Sequence, residues 1–148
     1  MGVILADRSG LAAADGAPVV GPAFTCNTVE SGLLTTFSYS TTGGPATINV
    51  RAKIEVSTDG SNWHDLVRFI DQTTTGGAVR IARLQLLGTA AESGTTQTAL
   101  TTVAAAAVLS DGAIGTGVLM RAHTMLQALT GGASPTARIL VSAAVEGS

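Results

Sequence analysis

Residues 46–56 constrain the fold more than any other part of the chain. Ala46, Ile48, Val50, Ala52, Ile54 and Val56 share one parity, and Thr47, Asn49, Arg51, Lys53 and Glu55 share the other. Side chains in a strand alternate between faces, so this spacing predicts an extended ribbon with one buried and one wet face. A helix would scatter the same residues around its circumference.

The pattern recurs. Ala137, Ile139, Val141, Ala143 and Val145 fall opposite Arg138, Ser142 and Glu146. Over 118–128, Val118, Met120, Ala122, Leu126 and Ala128 are expected inward, and Arg121, His123 and Gln127 outward. Residues 33–40 place Leu33, Phe37 and Tyr39 together. Residues 63–70 place Trp63, Val67 and Phe69 together, against Leu66 and Ile70. Residues 79–87 change parity midway, which predicts a bulge or burial on both faces. Residues 97–109 have helical spacing and four consecutive alanines, but their Thr content and surroundings favour a strand.

Glycine marks the reversals between these strands. The triplet Thr-Gly-Gly occurs at 42–44, 75–77 and 130–132, and Asp59-Gly60 and Asp111-Gly112 are further turn signals. Strands at this spacing, without a βαβ unit, predict an all-β fold: an antiparallel β-sandwich or jelly roll. An echo links 41–56 to 129–146, where a TGG turn and a proline each precede an alternating strand. It reads either as a duplicated hairpin, one per half of the sandwich, or as chance likeness between two Gly turns. Residues 1–25 are rich in Gly, Ala and Pro. They read as an extended N-terminal arm ahead of a single domain over 26–148. The apolar Val3, Ile4, Leu5, Val19 and Val20 imply that the arm lies on its own domain or on a neighbouring subunit.

Composition narrows the function. Charged residues are only 12% of the chain and the net charge is −2, so the clustered Lys and Arg of a nucleic-acid footprint are lacking. Asp7 and Arg8 interrupt the N-terminal apolar run and no basic segment precedes it; neither a signal peptide nor a transmembrane helix is expected. The single cysteine, Cys26, excludes an internal disulfide and reads as a plain thiol.

No catalytic, cofactor-binding or metal-binding constellation is predicted. His64 and Asp65 are neighbours in a strand, so they face opposite ways and cannot form a dyad. His123 is the only other histidine, and two His with one Cys make no zinc pattern. There is no GxSxG elbow, DxDxDG loop or GxxxxGK cradle. The stretch STDGSNW, 57–63, reads as a corner: Asp59 and Gly60 turn the chain, and Trp63 then enters the core. The competing reading makes Trp63 an exposed sugar platform, but with aromatics at 3% of the chain a core role is favoured.

Two segments carry a resemblance. TTGGPATINVRAKIEVSTDGSNWHDLVRF and GVLMRAHTMLQALTGGASPTARILVSAAVE resemble a pattern in small β-sandwich virion proteins of tailed bacteriophages. The second part is matched at Gly117, Arg121, Gly131, Gly132, Ser134, Pro135, Thr136, Val141 and Ser142. The likeness covers residues 40–70 and 117–146. Residues 88–116 are longer and richer in Ala and Thr than that pattern, and the arm has no counterpart in it. The resemblance implies a non-enzymatic structural protein of the virion, made in the host cytoplasm. A capsid decoration (cement) protein is expected, with neck and tail proteins and a carbohydrate-binding module as alternatives. Its implied partners are the major capsid protein, other virion proteins and further copies of itself, without nucleic acid, membrane or cofactor. Leu119, Met125, Leu129 and Leu140, on the nominally wet parity, would cover such an interface or a second buried sheet face.

Overall fold

The computed structural model describes residues 2–26, 32–43, 47–69, 71–73, 77–85, 107–108 and 117–145. Among the described residues, ten strands form two antiparallel sheets packed together as a β-sandwich. They are β1 (Gly2–Leu11), β2 (Val19–Val20), β3 (Phe24–Thr25), β4 (Gly32–Thr42), β5 (Thr47–Ser57), β6 (His64–Arg68), β7 (Gly77–Gln85), β8 (Ala107–Val108), β9 (Leu119–Thr130) and β10 (Thr136–Val145). The first sheet runs β1-β10-β4-β7; the second runs β2-β9-β5-β6-β8, with β3 also on β9. Of the ambiguous segment 97–109, only 107–108 falls among the described residues, and it is strand. Ile70 also lies outside them.

The alternation in 48–56 produces the core as expected, and Ala46 lies outside the described residues. Ile48, Val50, Ala52 and Ile54 are fully buried and meet Met120, Ala122 and Leu126 of β9 on the same face. The first sheet supplies Leu33, Phe37, Tyr39, Ile139 and Val141. Phe37 anchors the centre, with the rings of Phe69 and Tyr39 5.4 and 6.1 Å away. Edge-tilted ring pairs of this kind add to simple area burial.

The TGG echo has a structural counterpart. Each of two TGG turns carries the chain from one sheet to the other, β4 to β5 and β9 to β10. The resulting ladders, β5 on β9 and β10 on β4, exchange when one half is mapped onto the other. The pair Thr42–Thr136 becomes Thr130–Thr47, and both pairs are in register. The turns also touch, Ala133 N–H donating to the Gly43 carbonyl at 2.8 Å.

Residues 2–25 lie on the rest of the fold. Residues 2–11 pair with β10 as an edge strand, and a register shift between Ile4 and Ala6 drives Leu5 fully into the core. Residues 15–26 then run along the free edge of β9. Asp15 N–H donates to Leu126 O at 2.7 Å, Gly21 N–H to Ala122 O at 2.8 Å and Cys26 N–H to Val118 O at 2.7 Å. Arg8 binds Asp15 through two nitrogens at 2.8 and 2.7 Å. The segment thereby covers strand-edge hydrogen-bonding groups that would otherwise invite aggregation. Gly21 permits the close approach: a Cβ there would sit 2.5 Å from the Leu5 carbonyl oxygen. Gly21→Ala is expected to lower stability by about 1–3 kcal/mol through overpacking; an unchanged urea midpoint would show that the segment yields freely.

Two parity expectations are corrected. In β9 a register shift opposite Asn49 and Val50 skips Gln127, so Leu129 turns toward the core and Ala128 pairs with Asn49 on the outer parity. Over 77–85, β7 keeps an unbroken register with β4, so the bulge alternative fails over these residues, and Val79 and Ile81 point outward together; residues 86–87 lie outside the described residues.

Candidate functional site

The face of β5 expected to be wet is the principal surprise. Lys53 and Glu55 are only 3% and 2% exposed. The cause is packing on the outer face of the second sheet. Like charges stand directly opposite across β5 and β6, and the ion pairs form along the strand and diagonally, Lys53 to Glu55 and Asp65, with Arg121 directly opposite Glu55 on β9. Glu55 stands between Asp65 of β6 and Arg121 of β9, and Lys53 between Arg68 and His123. A register shift in β6 after Asp65 lets Asp65, Leu66 and Val67 all be buried, Asp65 outward into this cluster and Val67 into the core.

The contacts form a chain of alternating sign. Lys53 Nζ donates to Asp65 Oδ1 at 2.9 Å and lies 2.6 Å from Glu55 Oε1. The second Asp65 oxygen is held by Arg68. Arg121 Nε donates to Glu55 Oε2 at 3.0 Å. His123 Nε2 lies 2.8 Å from the same oxygen, near enough to pair when the ring is protonated, although it makes no well-aligned hydrogen bond. Farther along, Arg51 binds Asp71 at 2.7 Å. Charges removed from water are tolerated because each meets an opposite charge at hydrogen-bond distance.

Burial pushes the Glu55 carboxyl upward and is the largest single influence on it. The contacts and charges of His123 and Lys53 together outweigh burial and bring its pKa from 4.5 down to about 2. A depressed folded-state value means that the unfolded chain takes up the proton first as pH falls. The stabilisation is therefore complete above pH 4.5 and disappears as pH drops toward 2. On the order of 3 kcal/mol should be lost across this window. Urea unfolding of wild type and Glu55→Gln at several acidic pH values would test this; parallel pH profiles would exclude Glu55 as the source.

The 57–63 corner completes this face. Ser61 and Asn62 N–H groups donate to Asp59 Oδ1 at 2.8 and 2.7 Å, and Asn62 Nδ2 donates to Oδ2 at 2.6 Å. The backbone donors hold the Asp59 carboxyl well below the usual carboxylate range. Gly60 adopts φ +75° and donates its N–H to Ser57 Oγ at 2.9 Å. Trp63 is buried, at 6% exposure, but not in the sandwich core. It lies on the outer face, where the Arg121 guanidinium covers its ring 3.8 Å from the centroid and Nε1 donates to Gly60 O at 3.2 Å. The expected entry into the core is thus corrected: the shift in β6 and the tight corner leave Trp63 on the parity of Asp65. A ring beneath a guanidinium offers no open platform to a sugar.

The remaining sequence candidates fall into place. His64 is exposed and pairs across from Val56, whereas Asp65 pairs across from Glu55, so the two do face apart. Cys26 is half-buried, and burial pushes its thiol up, away from the reactive thiolate. Among the described residues, no group of three His, Cys, Asp or Glu side chains is placed to hold a metal ion.

Comparisons with family models, characterised proteins and solved structures return no match.

The ionic chain is held by internal pairing of its own charges. It seals one outer face of the sandwich with side chains from three strands. Sequence reasoning missed it because Lys53, Glu55, Arg121 and His123 look like ordinary surface charges until the register is known. The available signal was opposite charges on one parity of two strands.

Of the four residues expected to form an interface, Met125 is buried within the chain, and Leu119, Leu129 and Leu140 are half-buried. Among the described residues, the large apolar side chains that are exposed are Ile4, Val19, Val20, Val79 and Ile81.

Proposed function

We propose that this chain is a non-enzymatic structural protein of a bacteriophage virion, a capsid decoration protein that binds the shell and further copies of itself. One observation carries the reading. The two stretches that resemble phage β-sandwich proteins fold as neighbours. Strands β5 and β6 from the first and β9 and β10 from the second include the long β5–β9 ladder and both TGG crossings. The likeness therefore describes one connected unit, beyond a scatter of similar turns. Neck and tail proteins of the virion would carry such a unit equally well.

A decoration protein acts through repeated surface contact, and many modest contacts on a lattice add through avidity. The test is to mix the purified chain with expanded capsids lacking it and to image the particles. Added density at regular lattice positions is expected. A chain that neither sediments with capsids nor alters their images would overturn the decoration role.

A further inference from the structure

The two outer faces of the sandwich are finished in different ways. The centre of the second sheet is covered by its ionic chain, with exposed Val20 only at its β2 edge, whereas the first sheet leaves Ile4, Val79 and Ile81 in water. We infer that the outer face of the first sheet is a two-fold interface with a second copy of this chain. The inference supplies a surface for the self-association within the proposed function, and it can hold without any shell partner.

The register defines this face. One row across the sheet reads Ile4, Ser142, Thr36, Ile81, and the next reads Asp7, Leu140, Ser38, Val79. Ile4, Val79 and Ile81 are 54%, 63% and 65% exposed. The ladders β10–β4 and β4–β7 contain no register shift, so three of the four strands present an even surface. Among the described side chains, the charges on this face are Asp7 and Arg138, which neutralise each other through bonds of 3.0 and 2.9 Å.

Such a face, with Asp7 and Arg138 paired and Arg83 on the same parity at the row of Leu34, suits a partner that is mainly aliphatic and hydroxyl-rich. Its own copy is one. A two-fold axis parallel to the strands, between β10 and β4, exchanges the positions of β1 and β7 while keeping each row. Ile4 of one copy then lies over Ile81 of the other, and the reverse contact repeats it, as an isologous interface requires. Face-to-face packing of sheets is an ordinary arrangement. Four strands about 4.8 Å apart and about nine residues long offer roughly 600 Å² per copy. The pair would bury about 1,200 Å², the lower bound for a specific interface.

The test is the solution mass of the full chain by sedimentation over about 1–100 µM, a range suited to an interface of this size. Wild type should approach twice the chain mass. Ile81→Lys, and Val79→Asp, which the same axis sets over Asp7 of the other copy, both at exposed positions, should return it to the monomer mass with unchanged circular dichroism. Thr58→Lys, in the exposed corner of the other sheet, should leave the dimer intact. Monomeric wild type, any other oligomer, or a dimer that survives both β7 substitutions would overturn the inference. Capsid binding is read separately in the particle images, so a failed dimer and a failed shell contact are distinguishable.

Discussion

Lys53→Met is expected to lower folding stability by about 3–5 kcal/mol, the cost of removing one partner from a buried ion pair. Methionine approximates the length of the lysine stem, so little cavity forms and the loss reports on charge. Lys53 is the link between Glu55 and Asp65, 2.6 and 2.9 Å away. Without it the two carboxylates face each other inside the structure. Arg121 and Arg68 still hold their outer oxygens, which keeps the expected cost within this range. Chemical denaturation of both proteins checks the prediction, with the midpoint falling and the slope held. A change below about 1 kcal/mol would mean that the chain of charges is no more than a solvated surface pair.

Trp63→Ala is expected to cost about 3–5 kcal/mol, in the range for deleting a large buried aromatic. Two losses combine. The ring leaves an apolar gap at the end of the second sheet, and Arg121 loses the surface on which it stacks, a contact that contributes up to about 2 kcal/mol when desolvated. Since Arg121 also binds Glu55, the Trp63 and Lys53 substitutions touch one network and should not add. A double mutant whose loss equals the sum of the singles would separate the corner from the ionic chain. Equal melting temperatures for wild type and Trp63→Ala would remove Trp63 from the stability argument altogether.

The strands of this protein were legible because alternation is local. Ile48, Val50, Ala52 and Ile54 declare a buried face through their spacing alone, and Gly43 and Gly131, at φ 93° and 88°, mark the reversals. Side-chain size and backbone freedom act within a few residues, so the sequence carries them directly. The fate of the opposite face was not legible. Whether Lys53 and Glu55 meet water or one another depends on which strands lie beside β5 and in what register.

The same holds for Trp63 and Leu129. A single-residue shift in β6 and in β9 decides the side on which each falls, because one step along a strand reverses every later side chain. The placement of residues 2–26 was likewise partly legible: their apolar residues required a surface to lie on, but only the folded chain shows that the free edges of β10 and β9 provide it. By itself, then, the sequence determined an all-β chain of alternating strands joined by glycine turns. Strand order and register, set by packing between segments far apart in sequence, decided which charges are buried and which aliphatic side chains remain in water.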